Sequence, residues 1–573
     1  MRFINKLGMG VAAASLLLSS CTKDFEELNT NPVVSPTTNP ETLIVAAEYK
    51  LVDRDFEWFY DNYQYIMRWM QFVAQDPAGS ANNSLFGANS NTNGLYNDLY
   101  NIIGRYTSQI QAVVDKLPAD QQAKYQNVTA IAKVLKVYAA WRVSDANGSI
   151  PYTQAWQARD SSMFTPKYDS QSSLFDIWDA QLKAAVTTLS ANAAGQVSYG
   201  NAEMFYSGDA AKWAKAANVL RLKLAMRLQK RADAKAKAIV TDVLASTAGI
   251  FTSNDEEWKF ISAKQSFARG GNWNPDNGSS FVAAKNIVDF MYTHNDPRLR
   301  VFFKPNSYTQ SVIDSLKNGG ALSSGTTYNP RRYVGIPSSP DAKNNAAYNR
   351  LYTRRIYTIT LGGKTSQVTY DTLSKVQTRL FDLDQDGGAN NGAQYTQPIA
   401  SYAEMCFILA EFTERGVNTG GTAEEWYNKG VTASLQAYDK IGSLAQVIGY
   451  SALGAEEIAT YLADPAVAYT GTQEEKLEKI GVQNFLNLFK APQEAWGSWK
   501  RTGYPKEGGI LPFEPFMISG VKSTVPRRWI LPIPSNTQEN IPNYNTAISD
   551  MQKEGAYGQP NDLTGRVWWD VAN

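Results

Sequence analysis

Histidine is all but missing from this chain: His294 is the only one. Its scarcity excludes a two-histidine zinc site. It also excludes any histidine-dependent catalytic triad or dyad that does not use His294. His294 lies in Tyr292-Thr293-His294-Asn295-Asp296-Pro297, which reads as a helix end followed by a turn. A capping or surface role is therefore expected. Cysteine is nearly as scarce, with Cys21 and Cys406 alone. Cys406 sits inside the apolar run Tyr402 to Ala410, where a free cysteine behaves as a small buried hydrophobe. Charge of one sign is also missing: 55 Lys and Arg face 54 Asp and Glu, a formal net charge of +1. No long basic run occurs, and nucleic acid requires a dense cationic face, so no nucleic-acid partner is expected. After the first twenty residues no stretch is long and apolar enough to cross a bilayer, which takes about 20 apolar residues.

Those first twenty residues carry the one strong targeting signal. Arg2 and Lys6 form a short positive region, and Leu7 to Leu18 is apolar or small throughout. The run is shorter than a membrane span and reads as a signal peptide over residues 1–20. It closes on Leu18-Ser19-Ser20-Cys21, small residues before a cysteine, as a lipoprotein signal peptidase requires. Cys21 is the expected lipidation site. Several acyl chains such as palmitate, at about 0.8 kcal/mol per buried CH2, make a durable anchor. An acylated Cys21 leaves Cys406 without a partner, so no disulfide is expected. Residues 21–40 are mostly polar, with prolines at 32, 36 and 40, and read as an extended tether. Residues 41–573 are expected to form one helical domain.

Helical patterns dominate that body. Glu57 to Phe72 is aromatic-rich and expected to be helical. Val128, Ile131, Ala132, Leu135, Ala139 and Arg142 recur at spacings of three and four within Lys124 to Arg142. Leu174, Trp178, Leu182, Ala185 and Leu189 repeat the pattern, as do Trp213, Ala217, Leu220, Leu224 and Leu228. Ala403 to Phe412 is apolar nearly all round, as a central helix would be. Thr422 with Glu425 and Thr472 with Glu475 have capping-box spacing. Paired helices with short turns suggest diverged helical repeats. The fold class expected is mostly α, with long irregular loops. A small β-hairpin is expected from Arg354–Leu361 and Gln367–Leu373 around Gly362-Gly363.

Aromatic residues make up 12% of the chain, and Asn and Gly are plentiful. Aromatic rings beside amides suit sugar or peptide recognition, since flat rings stack and amides both donate and accept. Long loops inside a domain are usually functional. The first candidate is Trp273 between Asn272 and Asn274, in a Gly/Asn loop with little helix to pack on. A second is Phe86 and Tyr96 with Asn82, Asn83 and Asn89. A third is Trp58 with Tyr60, which lie on an expected helix. Asp382-Leu383-Asp384-Gln385-Asp386-Gly387 has the spacing of a calcium loop. Asp382, Asp384 and Asp386 are the candidate ligands of a structural calcium, because three converging carboxylates repel unless a hard cation neutralises them. The set is incomplete, since Ala393 stands where a full EF-hand loop has glutamate.

An ordered series of motifs resembles the SusD/RagB family of nutrient-binding outer-membrane lipoproteins. It opens with Leu28-Asn29-Thr30-Asn31-Pro32, similar to the start of one branch. Trp141-Arg142-Val143-Ser144-Asp145-Ala146-Asn147-Gly148-Ser149-Ile150-Pro151-Tyr152 resembles the family's helix exit. Thr165-Pro166-Lys167-Tyr168-Asp169, Phe205 to Asp209, Lys212-Trp213 and Ala217 to Leu222 follow. Asp296-Pro297-Arg298-Leu299, Tyr402-Ala403-Glu404, Ala410-Glu411, Trp496, Arg501 to Pro505 and Pro526-Arg527-Arg528 close the series. The resemblance spans essentially the whole mature chain. It implies a right-handed superhelix of tetratricopeptide-like helix pairs. It implies a cell-surface lipoprotein that captures an oligosaccharide and acts as the lid of a SusC-like TonB-dependent barrel, with no catalysis and no cofactor. Lys23-Asp24 and Glu26-Glu27 resemble the charged signal that sends such lipoproteins to the outer face of the cell.

Read for their chemistry, the same motifs are mostly structural. Gly148 allows a turn and Pro151 stops the helix. Gly208-Asp209 is a turn and an N-cap. Trp213 lies on an apolar face, and Arg221 and Arg227 are expected to pair with acids. Ligand contacts in the family come mostly from variable loops, so none is carried over by motif. Three alternatives stay open: a peptide-binding protein of the same type, a surface glycosidase needing only two carboxylates, and a scaffold without a soluble ligand.

Overall fold

In the computed structural model, residues 39–53, 57–75, 85–87, 90–263, 281–348, 351, 356–383, 392–535 and 539–572 are described. The leader, Cys21 and the tether to residue 38 lie outside them. Helix α1 (Pro40–Val52) starts at Asn39, whose side chain accepts from the Glu41 N–H, with proline in the first turn. There follow α2 (Gly104–Val114), α3 (Gln126–Asn147), α4 (Gln171–Ala191), α5 (Ala210–Leu228) and α6 (Asp233–Leu244). α2 packs between α1 and α3, α4 between α3 and α5, and α6 against α5. A second group comprises α7 (Tyr402–Glu414), α8 (Ala423–Ala445), α9 (Gln473–Asn487) and α10 (Pro492–Thr502). α7 lies against α8, α9 and α5, and α9 against α10. The fold is mostly α, built of side-by-side helix pairs in tetratricopeptide-like fashion. Among the described residues, no helix is long and apolar enough to cross a membrane.

The apolar stripes read from the sequence are the buried ones. Val128, Ile131 and Leu135 of α3, Leu174, Trp178 and Leu182 of α4, and Trp213, Leu220 and Leu224 of α5 are fully enclosed. α7 is buried all round from Ala403 to Phe412. Cys406 lies inside it, and burial pushes its thiol up to about 12. Both expected capping boxes form, at Thr422–Glu425 and Thr472–Glu475. Asp209 caps α5 through the N–H groups of Ala211 and Lys212. His294 ends the helix Lys285–Thr293, with its Nδ1 2.9 Å from Asp464 Oδ1.

Two expectations need correction. Glu57–Phe72 is not one α-helix: Glu57–Ile66 winds as a π-helix, followed by a short α-helical turn at Met67–Trp69. In a π-helix residues five apart share a face, and the rings of Trp58 and Tyr63 lie 5.7 Å apart. The segment is buried on nearly every side, so packing, not a one-sided stripe, sets its winding. The hairpin exists, but its second strand begins earlier. Strands β4 (Ile356–Leu361) and β5 (Lys364–Thr369) flank a two-residue turn in which Gly362 and Gly363 both have positive φ, the conformation a tight hairpin favours.

The sheets are all two-stranded and antiparallel among the described residues. A second hairpin, β7 (Phe516–Ile518) with β8 (Val521–Ser523), turns at Ser519-Gly520. Asp341 holds that turn by accepting from the N–H groups of Ser519 and Gly520. The other two pairings are long-range. β1 (Val73–Gln75) pairs with β3 (Phe281–Ala283), and β2 (Trp258–Ala263) with β6 (Gln394–Ala400).

The motif residues are absorbed by a buried ionic network that ties the two helix groups together. Lys223 of α5 meets Glu404 of α7 at 2.8 Å and Glu494 of α10 at 3.3 Å. Arg227 meets Asp145 of α3 at 2.9 Å and Glu494 at 3.3 Å. Burial raises the Glu494 carboxyl, but Lys223, Arg227 and Arg142 outweigh it and hold it below the usual range. Arg221 reaches Asp179 and Asp242, Arg298 forks onto Asp296, and Arg527 forks onto Asp570. The buried carboxylates among these, Asp145, Asp296, Glu404, Glu494 and Asp570, would each be costly to bury alone. The most recognisable charged motif residues thus build the fold.

Candidate ligand-binding region

Strand register gathers the ends of the segments that carry the loop candidates. Gln75, from which segment 76–84 departs, pairs with Phe281, where segment 264–280 ends. Ala263, where segment 264–280 begins, pairs with Gln394, just after segment 384–391. Trp273, Asn272, Asn274, Asn82, Asn83, Asn89, Asp384 and Asp386 all lie outside the described residues. What is described is the frame from which their segments depart. Gln71 locks part of it. Its Nε2 donates to the Glu514 carbonyl at 2.7 Å, while its Oε1 accepts from Glu514 N–H and Asn286 Nδ2 at 3.0 Å each. The base of β1 is thereby tied to the helix Lys285–Thr293 and to the approach to β7. Burial raises the Glu514 carboxyl, which accepts from the Ser338 N–H at 2.7 Å.

The described candidates are not brought together. Phe86 is half-buried and sets its edge on Phe516, with ring centroids 5.2 Å apart. Tyr96 is half-buried against Tyr100 at 4.6 Å, and Trp156 stacks on the far side of that cluster. Trp58 is 6% exposed and packs on Tyr63 and Phe381. The cavity beside it is only 30 Å³, room for about one water. A ring so enclosed offers no open face for a sugar, so Trp58 serves as core packing. Asp382 is likewise buried. Among the described residues no cluster of three or more His, Cys, Asp or Glu side chains is placed to hold a metal ion.

The structure also places aromatics that the sequence reading passed over. Tyr308, Tyr357 and Tyr370 form a half-buried triad with centroids 6.2 to 6.5 Å apart. The Tyr308 and Tyr357 hydroxyls are 2.8 Å apart. Tyr357 faces Val368 across the hairpin, so Tyr370, two residues on, is its diagonal neighbour. A correct hairpin register would have revealed that pair; Tyr308 joins through tertiary packing alone. Tyr292, 39% exposed, lies under the Arg331 guanidinium at 4.7 Å. A separate open groove of 960 Å³ runs along α1, lined by Val45, Tyr49, Tyr106, Tyr199 and Met204 among others.

Two strongly perturbed groups lie in the core. Burial raises Glu257 to about 7, where it accepts from the Tyr402 N–H. Burial lowers Lys500 to about 7, and its Nζ donates to the Asp145 carbonyl at 2.8 Å above the Trp496 ring. Perturbed groups mark functional sites only when they face a cleft. These two are structural.

Side-by-side helix pairs, with antiparallel two-stranded pairings between distant segments, define a tetratricopeptide-like helical scaffold. More narrowly, the chain belongs to the SusD-like family: the family model described as "Starch-binding associating with outer membrane" matches residues 31–532. Among solved structures, the chain resembles a chitin-binding protein at 24% identity and a TM-score of 0.67, over 93% of this chain and 100% of that one. It resembles a chitin-binding SusD homolog from Flavobacterium johnsoniae at 22% and 0.65, over 93% and 98%. It also resembles a Bacteroidetes SusD-like protein at 19% and 0.69, over 93% and 100%. Likeness at these identities shows the fold. No curated protein matches the chain.

Proposed function

We propose that this protein is a cell-surface lipoprotein that captures an oligosaccharide and hands it to a SusC-like TonB-dependent barrel, over which it acts as a lid. The observation that carries this reading is the family match over 31–532, described as starch-binding and outer-membrane-associated. The two chitin-binding structural relatives support a glycan over a peptide ligand. Residues 1–20 would be removed, Cys21 acylated, and residues 21–40 would tether the helical body to the membrane. Trp273 with its flanking asparagines, and the segment containing Asn82, are the loops assigned to the ligand. Segments anchored at paired strands can act on one ligand together, because their bases are held in fixed register.

Affinity-gel electrophoresis of the mature protein against starch, chitin and other polysaccharides tests the reading. Retardation by a glycan, without release of reducing ends, is the expected result. Release of product would favour a glycosidase. Binding only from a peptide mixture would favour a peptide carrier. The loop at Asp382, Asp384 and Asp386 is proposed as a structural calcium site. Equilibrium dialysis of metal-free protein at millimolar calcium is expected to show uptake, and none would remove the idea.

A further inference from the structure

Two enclosed carboxyls meet where α1 touches the loop before α5. Glu48 of α1 is 0% exposed and Glu203 of the loop 2% exposed. Both are held by the turn from Met204 to Gly208. Glu48 Oε2 accepts from the Met204 N–H at 3.1 Å. Glu203 takes three further donors: its Oε1 accepts from the Phe205 N–H at 2.8 Å, and its Oε2 from the Tyr206 and Gly208 N–H groups at 2.9 and 2.7 Å. The two side chains are also hydrogen-bonded to each other. A bond between two carboxyls requires a proton, since ionised carboxylates only accept. Both Glu203 oxygens are occupied by N–H groups, whereas no donor among the described residues reaches the buried Glu48 Oε1. The proton therefore belongs to Glu48.

No cation offsets the pair. Burial first, then Glu203, raise the Glu48 carboxyl well above its usual range, and only the Met204 N–H acts against them. On α1 itself, Lys50 is turned to Asp53 and Asp98. Glu41, seven residues before Glu48, adds a third carboxyl, and Tyr199 feels all three. From α2, Arg105 lies over the Tyr106 ring. From α3, Lys133 is exposed and Lys136 bonds Ser108. In the loop, Asp209 caps α5 and the Tyr206 hydroxyl donates to the Glu256 carbonyl. Lys215 of α5 is paired with Glu256.

We propose that the proton shared by Glu48 and Glu203 is a pH-sensitive latch between the two walls of the groove along α1. Glu48 stands on the helix whose Thr42, Val45 and Tyr49 line one wall, and Glu203 lies between Ala202 and Met204 of the other. With the proton in place, α1 is fastened to the loop. Its loss as pH rises leaves two carboxylates in contact in an enclosed site, where they repel, and the walls part. The two groups titrate as a pair. The latch depends on no ligand assignment, so failure of the glycan reading leaves it standing.

Hydrogen exchange of the mature protein at stepped pH, corrected for intrinsic rates, tests it beside Glu48→Gln and Glu48→Met. The folded chain keeps a proton that the unfolded chain releases above the ordinary 4.5. The natural protein is therefore expected to lose protection in α1 and residues 198–208 as pH rises, by up to about tenfold per pH unit, the limit for one proton. Glu48→Gln keeps a donor to Glu203 and has no charge to gain, so its protection there is expected to stay level. Glu48→Met lacks the donor and should be loose at both walls at every pH, again without a slope. The infrared band of protonated carboxyls at neutral pH is expected to weaken in both variants. One pH profile shared by the natural protein and the variants overturns the proposal. So does a loss of protection spread evenly over the whole body, or an undiminished infrared band.

Discussion

At the scale of single residues, the buried charges are where the molecule is most sensitive. Glu494 serves both Lys223 and Arg227. Its removal leaves two cations enclosed with diminished compensation. Glu494→Ala is expected to destabilise by about 3–5 kcal/mol, read from urea unfolding. Glu257 has a folded value near 7, above its ordinary 4.5. Between those values the folded state holds a proton that the unfolded chain releases, so stability falls as pH rises from 4.5 to 7. Relative to Glu257→Gln, the natural protein should lose up to about 1.4 kcal/mol per pH unit across that window. Lys500 gives the opposite window. Its folded value near 7 lies below its ordinary 10.5. The unfolded chain binds the extra proton between them, and stability rises with pH from 7 to 10.5. Relative to Lys500→Met, the natural protein should gain over that range, measured by chemical denaturation at stepped pH. The pairing of Arg221 and Arg227 was legible in the sequence. Their partners were not, since Glu494 stands 267 residues beyond Arg227.

At the scale of elements, local chemistry was legible wherever it is self-contained. Caps, two-residue turns and one-sided stripes depend on residues a few positions apart. Gly148 is such a case, and it closes α3 at φ 90°. A Cβ there would stand 2.5 Å from Met551 Sδ. Gly148→Ala is expected to cost about 1–3 kcal/mol from backbone strain, with more from the clash, seen as a lowered Tm. The π-helix at Glu57–Ile66 was not legible, because its winding answers to packing on all sides. Nor were the β1–β3 and β2–β6 pairings, whose strands lie far apart in sequence and carry no turn signal between them.

At the scale of the whole molecule, the helical body forms two packed groups joined by the ionic network, with α5 and α7 at their contact. On the proposed function this body would move as a lid about the lipid tether. Cys21→Ala is expected to leave glycan binding by the purified protein unchanged while abolishing uptake by cells expressing it. Normal uptake by that variant would sink the lid reading. Trp273→Ala is the complementary test, expected to weaken glycan retardation by at least tenfold, since a stacked aromatic carries much of such contacts.

Sequence alone determined the helical class, the main amphipathic faces and the family resemblance, because each is written in neighbouring residues or in the order of motifs. Tertiary structure decided which charges meet, how the π-helix buries Trp58, and that the loop bases lie in paired register. Those outcomes depend on contacts between segments hundreds of residues apart, and neither spacing nor composition specifies which distant partner a side chain will find.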